Sequence, residues 1–198
     1  MARTIASDHD QKREQILKSA AKIFSIEGFD RASMTMLAKE CGISKANIYH
    51  YYTSKDAILF DILETYLRML RDRVCELDLT GADPAERLRR VIHEILQAYR
   101  GADHEHRVQI NGVSKLPPDQ QRILRTYQRD MVVFVSDIIR DTAPDVLGKD
   151  GEKLRSVTMS VFGMLNWYYM WNTGAGPEAR EDYARLVSDM TLKGVQGV

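Results

Sequence analysis

Apolar residues recur at three- and four-residue spacing along almost all of this 198-residue chain, and the alternation of a half-buried strand is missing. Glycine and proline fall mostly between the periodic segments, where they act as breaks. Such a chain folds as helices packed on helices. It is long enough to bury one substantial core, or to divide into a small head and a larger body. No run reaches the roughly 18 apolar residues of a membrane-spanning helix.

The stripes and breaks predict the order of elements. Ile16, Leu17, Ala20, Ile23 and Phe24 mark a first helix over about 10–27, stopped by Gly28. Ser33 is placed to cap a helix over 34–41, Gly42 breaks it, and Ser44 caps another over 45–52. Ser54 opens a long fourth helix, to about residue 77, with Leu59, Ile62, Leu63, Tyr66, Leu67 and Leu70 along one side. Gly81-Ala82-Asp83-Pro84 is the clearest break, and Pro84 suits the start of a fifth helix. Residues 101–118 are less regular, with a short helix before Leu116-Pro117-Pro118. Helices over about 119–142, 150–173 and 177–194 complete the chain.

The pair 34–41 and 45–52 carries the most information. Two short helices crossing steeply need a small residue at their contact, which is Ala38. The turn between them favours a residue tolerant of positive φ, which is Gly42. The second helix needs an apolar residue facing back into the core, which is Ile48. This is the helix-turn-helix pattern, whose second helix enters the major groove of DNA.

The residues around it extend the pattern. SMTMLAKECGISKANIYHYYTSKDAIL, preceded by AAKIFSIEGFDRAS, resembles the DNA-binding head of TetR/AcrR-type regulators over about residues 12–64. The run from Gly42 to Lys55 is its most diagnostic part. The resemblance implies an all-α fold, with a three-helix helix-turn-helix head and a helical-bundle body that binds a ligand and dimerises. We expect the division at 1–54 and 55–198. Lys45, Ala46, Asn47 and Tyr49 then face the major groove. Asn47 suits either an adenine edge or a phosphate, and Ala46 either a thymine methyl or close approach alone. Tyr49, His50 and Tyr51 are expected on phosphates, as are Ser33, Thr35 and Lys55 at helix starts and the capping Ser44. Ile48 and Tyr52 belong to the head's own core.

Charge agrees in sign. The chain is neutral overall, yet residues 1–55 hold nine Lys/Arg against six Asp/Glu, and the remainder nineteen against twenty-two. A basic end on an acidic body suits a protein that meets a polyanion at one end. A non-specific DNA-packaging role needs far more positive charge. The polar N-terminus has no apolar h-region, and Cys41 and Cys75 form no CxxC, so a cytoplasmic protein with reduced thiols is expected.

In the body, the segment 157–171 is apolar around much of its circumference, as for a helix facing both a core and a partner copy. The resemblance implies a homodimer, which reads two half-sites. Candidate effector contacts are Tyr99, Arg100, Asn111, Tyr127, Met131, Phe134, Asn166, Trp167, Tyr169, Met170 and Trp171. Asn166, an amide among apolar neighbours, needs a partner if buried. Leu116-Pro117-Pro118, GMLNWYYMW and YARLVSDMTLKG resemble a TetR subgroup that senses acyl-CoA thioesters, with Arg100, Arg107, Arg122 and Arg125 as candidates for the CoA phosphates. An unrelated hydrophobic effector is the alternative. Asp103-His104-Glu105-His106 reads as a solvated loop, not a metal site. No cofactor is expected. No Gly-x-Ser-x-Gly elbow, P-loop or HExxH supports an enzyme such as an acyl-CoA hydrolase.

Overall fold

The computed structural model describes residues 2–172 and 174–197, as ten α-helices with no strand among them. In chain order they are α1 (Ala2–Glu27), α2 (Met34–Glu40), α3 (Lys45–Tyr51), α4 (Lys55–Cys75), α5 (Pro84–Ala98), α6 (Asp103–Gly112), α7 (Pro118–Thr142), α8 (Pro144–Leu147), α9 (Gly151–Trp171) and α10 (Pro177–Gly194). A 3-10 turn, Val113–Lys115, follows α6. Helix α1 begins before the expected Asp10, in a polar stretch without an apolar stripe to announce it. The short α8 was not anticipated. Asp103–His106 is not a loop but the first turn of α6.

The chain divides into two compact units, residues 1–67 with 104–124, and residues 68–103 with 125–198. The first unit therefore holds the start of α4, all of α6 but Asp103, and the start of α7 beside the N-terminal helices. Its core comprises Ile16, Ala20 and Phe24 of α1, Leu37 and Ala38 of α2, Ile48 of α3, and Ile58, Leu59 and Leu63 of α4. Helix α6 packs closely there: a Cβ built on Gly112 would lie 3.1 and 3.2 Å from the side chains of Leu63 and Leu59. The α6 histidine His106 is buried, and its Nδ1 shares a 2.9 Å hydrogen bond with the Tyr66 hydroxyl. His104 instead meets Ser25 of α1 at 2.7 Å. The two histidines thus serve different partners, and no cluster of three metal-binding side chains occurs among the described residues.

In the second unit α5 lies along α10. Helix α5 buries Leu88, Val91, Ile92, Ile95 and Leu96, one side of a helix started by Pro84 and capped by Asp83, whose carboxylate accepts from Glu86 N at 2.8 Å. Helix α10 buries Ala184, Val187, Ser188, Thr191 and, at its first turn, Arg180. The Ser188 and Thr191 hydroxyls donate to carbonyls one turn back, at 2.7 and 2.8 Å, which lets them sit in a core. Helices α9 and α10 meet through aromatic rings, with Tyr168 stacked on Tyr183 at 4.5 Å and Trp171 edge-on to Tyr183 at 5.3 Å. No helix among the described residues is long and apolar enough to cross a membrane.

Candidate DNA interface and effector contacts

The turn between α2 and α3 is built as the residue types require. Gly42 has φ +64°, and the Ile43 amide donates to the Ala38 carbonyl at 3.1 Å. An alanine here meets no atom within 4 Å, so its penalty is purely conformational. Gly42→Ala is expected to lower stability by about 1–2 kcal/mol. Urea unfolding measures it, and a loss under about 0.3 kcal/mol would mean that the turn relaxes out of the left-handed region.

Both short helices start on serine. The Ser33 hydroxyl accepts from Met36 N at 3.2 Å and the Ser44 hydroxyl from Asn47 N at 3.1 Å. Each cap engages a lone pair and leaves the O–H able to donate outward. Helix α3 is anchored by Ile48, fully buried, and at its end by Tyr52. The Tyr52 hydroxyl and the Arg13 guanidinium both bind the Asp61 carboxylate, so α1, α3 and α4 share one polar junction. Burial, reinforced by the Asp61 carboxylate, pushes the Tyr52 phenol above its ordinary range and keeps it a donor. A helix seven residues long is not stable by itself; this junction and the buried Ile48 tie α3 to its neighbours.

On the outward side, Lys45, Ala46, Asn47, Tyr49 and His50 are exposed, Tyr49 by 46%. Lys45 Nζ lies 5.8 Å from the centre of the Tyr49 ring. Thr35 is exposed on α2, and Tyr51 is half-buried between His50, edge-on at 5.6 Å, and His9 of α1, stacked at 4.8 Å. His9 lies in a polar segment that carried no motif. Nothing in the sequence pointed to it.

The Lys55 ammonium lies against the α1–α2 turn, donating to the carbonyls of Phe29, Asp30 and Ala32 at 2.8, 3.1 and 3.2 Å, 4.5 Å from the centre of the Phe29 ring.

The effector candidates do not converge. Tyr99 is buried and its hydroxyl donates to Asn166 Oδ1 at 2.7 Å, which supplies the partner that the amide needs. Met131 and Tyr169 are also buried, Phe134 is half-buried, and Tyr127 lies under the Arg71 guanidinium at 5.3 Å. Arg100 is exposed. Trp167, Met170 and Trp171 are 58%, 48% and 59% exposed, on the outward side of α9, whereas Leu165, Tyr168 and Tyr169 face inward. Asn111 belongs to the first unit, where it lines a cleft of about 600 Å³ with Phe24, Phe29, Asp30, Arg107 and Lys115. Burial raises the thiols of Cys41 and Cys75 above their ordinary range.

Comparison with known proteins fits this arrangement. Residues 16–62 match the family described as "Bacterial regulatory proteins, tetR family", and residues 81–195 match "Tetracyclin repressor-like, C-terminal domain". An uncharacterized HTH-type transcriptional regulator of Bacillus subtilis, YerO, is 30% identical over 61% of the chain, which spans only 42% of that protein. The HTH-type transcriptional repressor NicS of Pseudomonas putida is 24% identical over 96% of the chain and 95% of its own. A TetR-family regulator from Bordetella parapertussis superposes with a TM-score of 0.86 at 28% identity, covering 94% of this chain and 96% of that one. AibR, solved with isovaleryl coenzyme A and operator DNA, shares the fold, with a TM-score of 0.76 at 22% identity over 90% and 97% of the two chains. With a helix-turn-helix unit built on α2 and α3 and both of its parts matched, the chain belongs to the TetR family of bacterial transcriptional regulators.

Proposed function

We propose that the protein is a homodimeric, effector-released repressor, with residues 1–54 reading a palindromic operator and residues 55–198 sensing a small molecule and dimerising. The observation that carries the DNA part is the outward side of α3. Lys45, Ala46, Asn47 and Tyr49 project from a helix whose inward residues, Ile48 and Tyr52, are buried. Ser33, Thr35, Ser44, His50 and Tyr51 flank them as donors to phosphate, which sets orientation, while Asn47 and Ala46 meet base edges. Two such heads, one helical turn or about 34–36 Å apart, read two half-sites.

Asn47→Ala is expected to weaken operator binding by about 1–3 kcal/mol and to relax preference at one base position per half-site. Fluorescence anisotropy on matched and single-mismatch duplexes measures both. An unchanged preference would remove Asn47 from base reading.

For the effector, the acyl-CoA reading is supported by the C-terminal resemblance and by AibR, whose structure holds isovaleryl coenzyme A. Tyr99, buried, and Asn166, half-buried, form a hydrogen-bonded polar pair among the candidate contacts. An effector that prefers one body conformation shifts operator affinity by its differential affinity, typically about 1–3 kcal/mol. Titrating the operator complex with a panel of acyl-CoA thioesters tests this. Release by one chain length supports the reading. Retention throughout, with release by another hydrophobic compound, replaces the ligand class and keeps the regulator.

A further inference from the structure

We infer that the cleft between the end of α1 and α6 is a binding site for a small aromatic carboxylate. This site stands apart from the operator-reading role of α2 and α3 and does not depend on it. Its lining comes wholly from the first unit, from residues between 24 and 30 on one side and between 107 and 115 on the other. The volume of about 600 Å³ falls within the range of sites for small organic molecules, about 300–1,000 Å³.

The lining is divided by chemistry. Phe24 and Val108 are buried, and Phe29 is half-buried with its ring edge-on to Phe24 at 5.2 Å. Gly28 adds no side chain to this part. A Cβ built there would meet nothing within 4 Å, so the space beside the two rings stays open. Arg107, Asn111 and Lys115 are all exposed and line the same cleft. They follow one another at four-residue spacing along α6 and the 3-10 turn after it, the spacing that puts side chains on one side of a helix. An apolar wall beside a row of hydrogen-bond donors suits a flat apolar body with an acceptor at one end.

Charge decides which acceptor. The lining holds two cations, Arg107 and Lys115, and one carboxylate, Asp30, a net of one positive charge. Lys115 already donates to Asp30 at 2.6 Å, so the unbalanced cation is Arg107. A guanidinium has five N–H donors and holds a carboxylate by two parallel bonds. One ligand carboxylate on Arg107, with the Asn111 amide beside it, brings the lining to neutrality. A phosphate, with about two negative charges at neutral pH, would overshoot it and would be repelled by Asp30. A neutral amide would leave the positive charge unmet.

Calorimetric titration of the whole chain with naphthoate, naphthamide and acetate tests this. Naphthoate is expected to bind with a dissociation constant of about 1 mM or tighter, the strength that modest ligand efficiency gives a two-ring acid. Naphthamide, which keeps the rings and lacks the charge, should bind about tenfold more weakly or worse. Acetate, which keeps the charge and lacks the rings, should give no measurable binding. Arg107→Gln should weaken naphthoate by about tenfold or more. Asn111→Trp, whose indole would fill the cleft, should abolish it. Both positions are exposed, so the variants should keep the helix content of the wild type by circular dichroism. Hydrogen exchange of the wild type with naphthoate bound should slow in residues 24–30 and 107–115.

Absence of binding by naphthoate overturns the inference, as does equal binding by naphthamide or unchanged affinity in Asn111→Trp. Slowed exchange confined to residues 125–172 would place the acid in the second unit and would overturn it as well. The exchange measurement needs no variant, so the site stays testable even if a substitution disturbs the fold. None of these readouts involves DNA, so their failure leaves the operator reading standing.

Discussion

Replacing Arg180 by methionine is expected to lower the stability of the protein by about 2–4 kcal/mol. Arg180 is 2% exposed, at the first turn of α10. Its NH1 donates to the Leu96 carbonyl and its Nε to the Ala175 carbonyl, both at 3.2 Å. The guanidinium carbon lies 5.5 Å from the Tyr168 ring centre, and Asp103 stands 3.8 Å from NH2. Leu96 is in the last turn of α5, where helix carbonyls have no partner within the helix. The Tyr99 amide goes to Ile95 and the Arg100 amide to Gln97, which leaves Leu96 to Arg180. A cation there also opposes the negative end of the α5 dipole. Methionine matches the apolar stem but strands two carbonyls. Losing a buried charge recovers some desolvation, which is why the expected loss stays below that of a fully broken ion pair. Urea unfolding at fixed protomer concentration decides it. A loss below about 1 kcal/mol would mean that water takes over the carbonyls. Lysine at this position should recover only part of the loss, because it cannot reach two carbonyls with a planar fork.

Arg180 also shows where a sequence stops being readable. In Pro-Glu-Ala-Arg-Glu-Asp it sits among charges and reads as surface, yet its partners are a carbonyl 84 residues upstream and a ring on α9. Lys55 is half-hidden in the same way: its acceptors within the chain are three backbone carbonyls of the α1–α2 turn, which have no sequence signature. The features that were legible are local. Ser33 and Ser44 cap the amides three residues on, Gly42 takes the positive φ, and Ile48 faces back because of helical spacing. Each follows from a spacing of a few residues. For α9 the spacing was ambiguous, since apolar residues surround most of the helix. Only the packed structure separates Leu165, Tyr168 and Tyr169, which face inward, from Trp167, Met170 and Trp171, which face out. The periodicity predicted two faces and could not say which residues lay on which. The Asp103–His106 run hid a helix start for a related reason: its one inward residue, His106, is polar, and a stripe analysis counts apolar residues.

The outward side of α9 carries the second large prediction. Met159 (50% exposed), Trp167, Met170 and Trp171 follow one side of the helix at spacings of eight, three and one. On α10, Leu186 and Met190, one turn apart, are 54% and 55% exposed. Between the two helices lies an apolar groove of about 340 Å³, lined by Val157, Val161, Met164, Met190 and Val195 among others. A monomer rarely leaves a contiguous apolar surface of this kind in water. A second copy, placing the same two helices against it about a two-fold axis, would cover it by self-complementarity. Trp167→Glu with Met190→Glu should leave folding almost untouched, because both side chains are already exposed within one chain. In a dimer they would place carboxylates in an apolar seam, which the pair cannot accommodate. Sedimentation should therefore show a dimer for the wild type and a monomer for the double variant, with equal helix content by circular dichroism. Operator affinity should fall by about 10²–10⁴, because a single head loses the effective concentration that its partner supplies. A double variant that stays dimeric and binds its operator normally would move the interface away from α9 and α10. One that becomes monomeric yet keeps full affinity would instead mean that one head suffices, and the two-half-site reading would have to go.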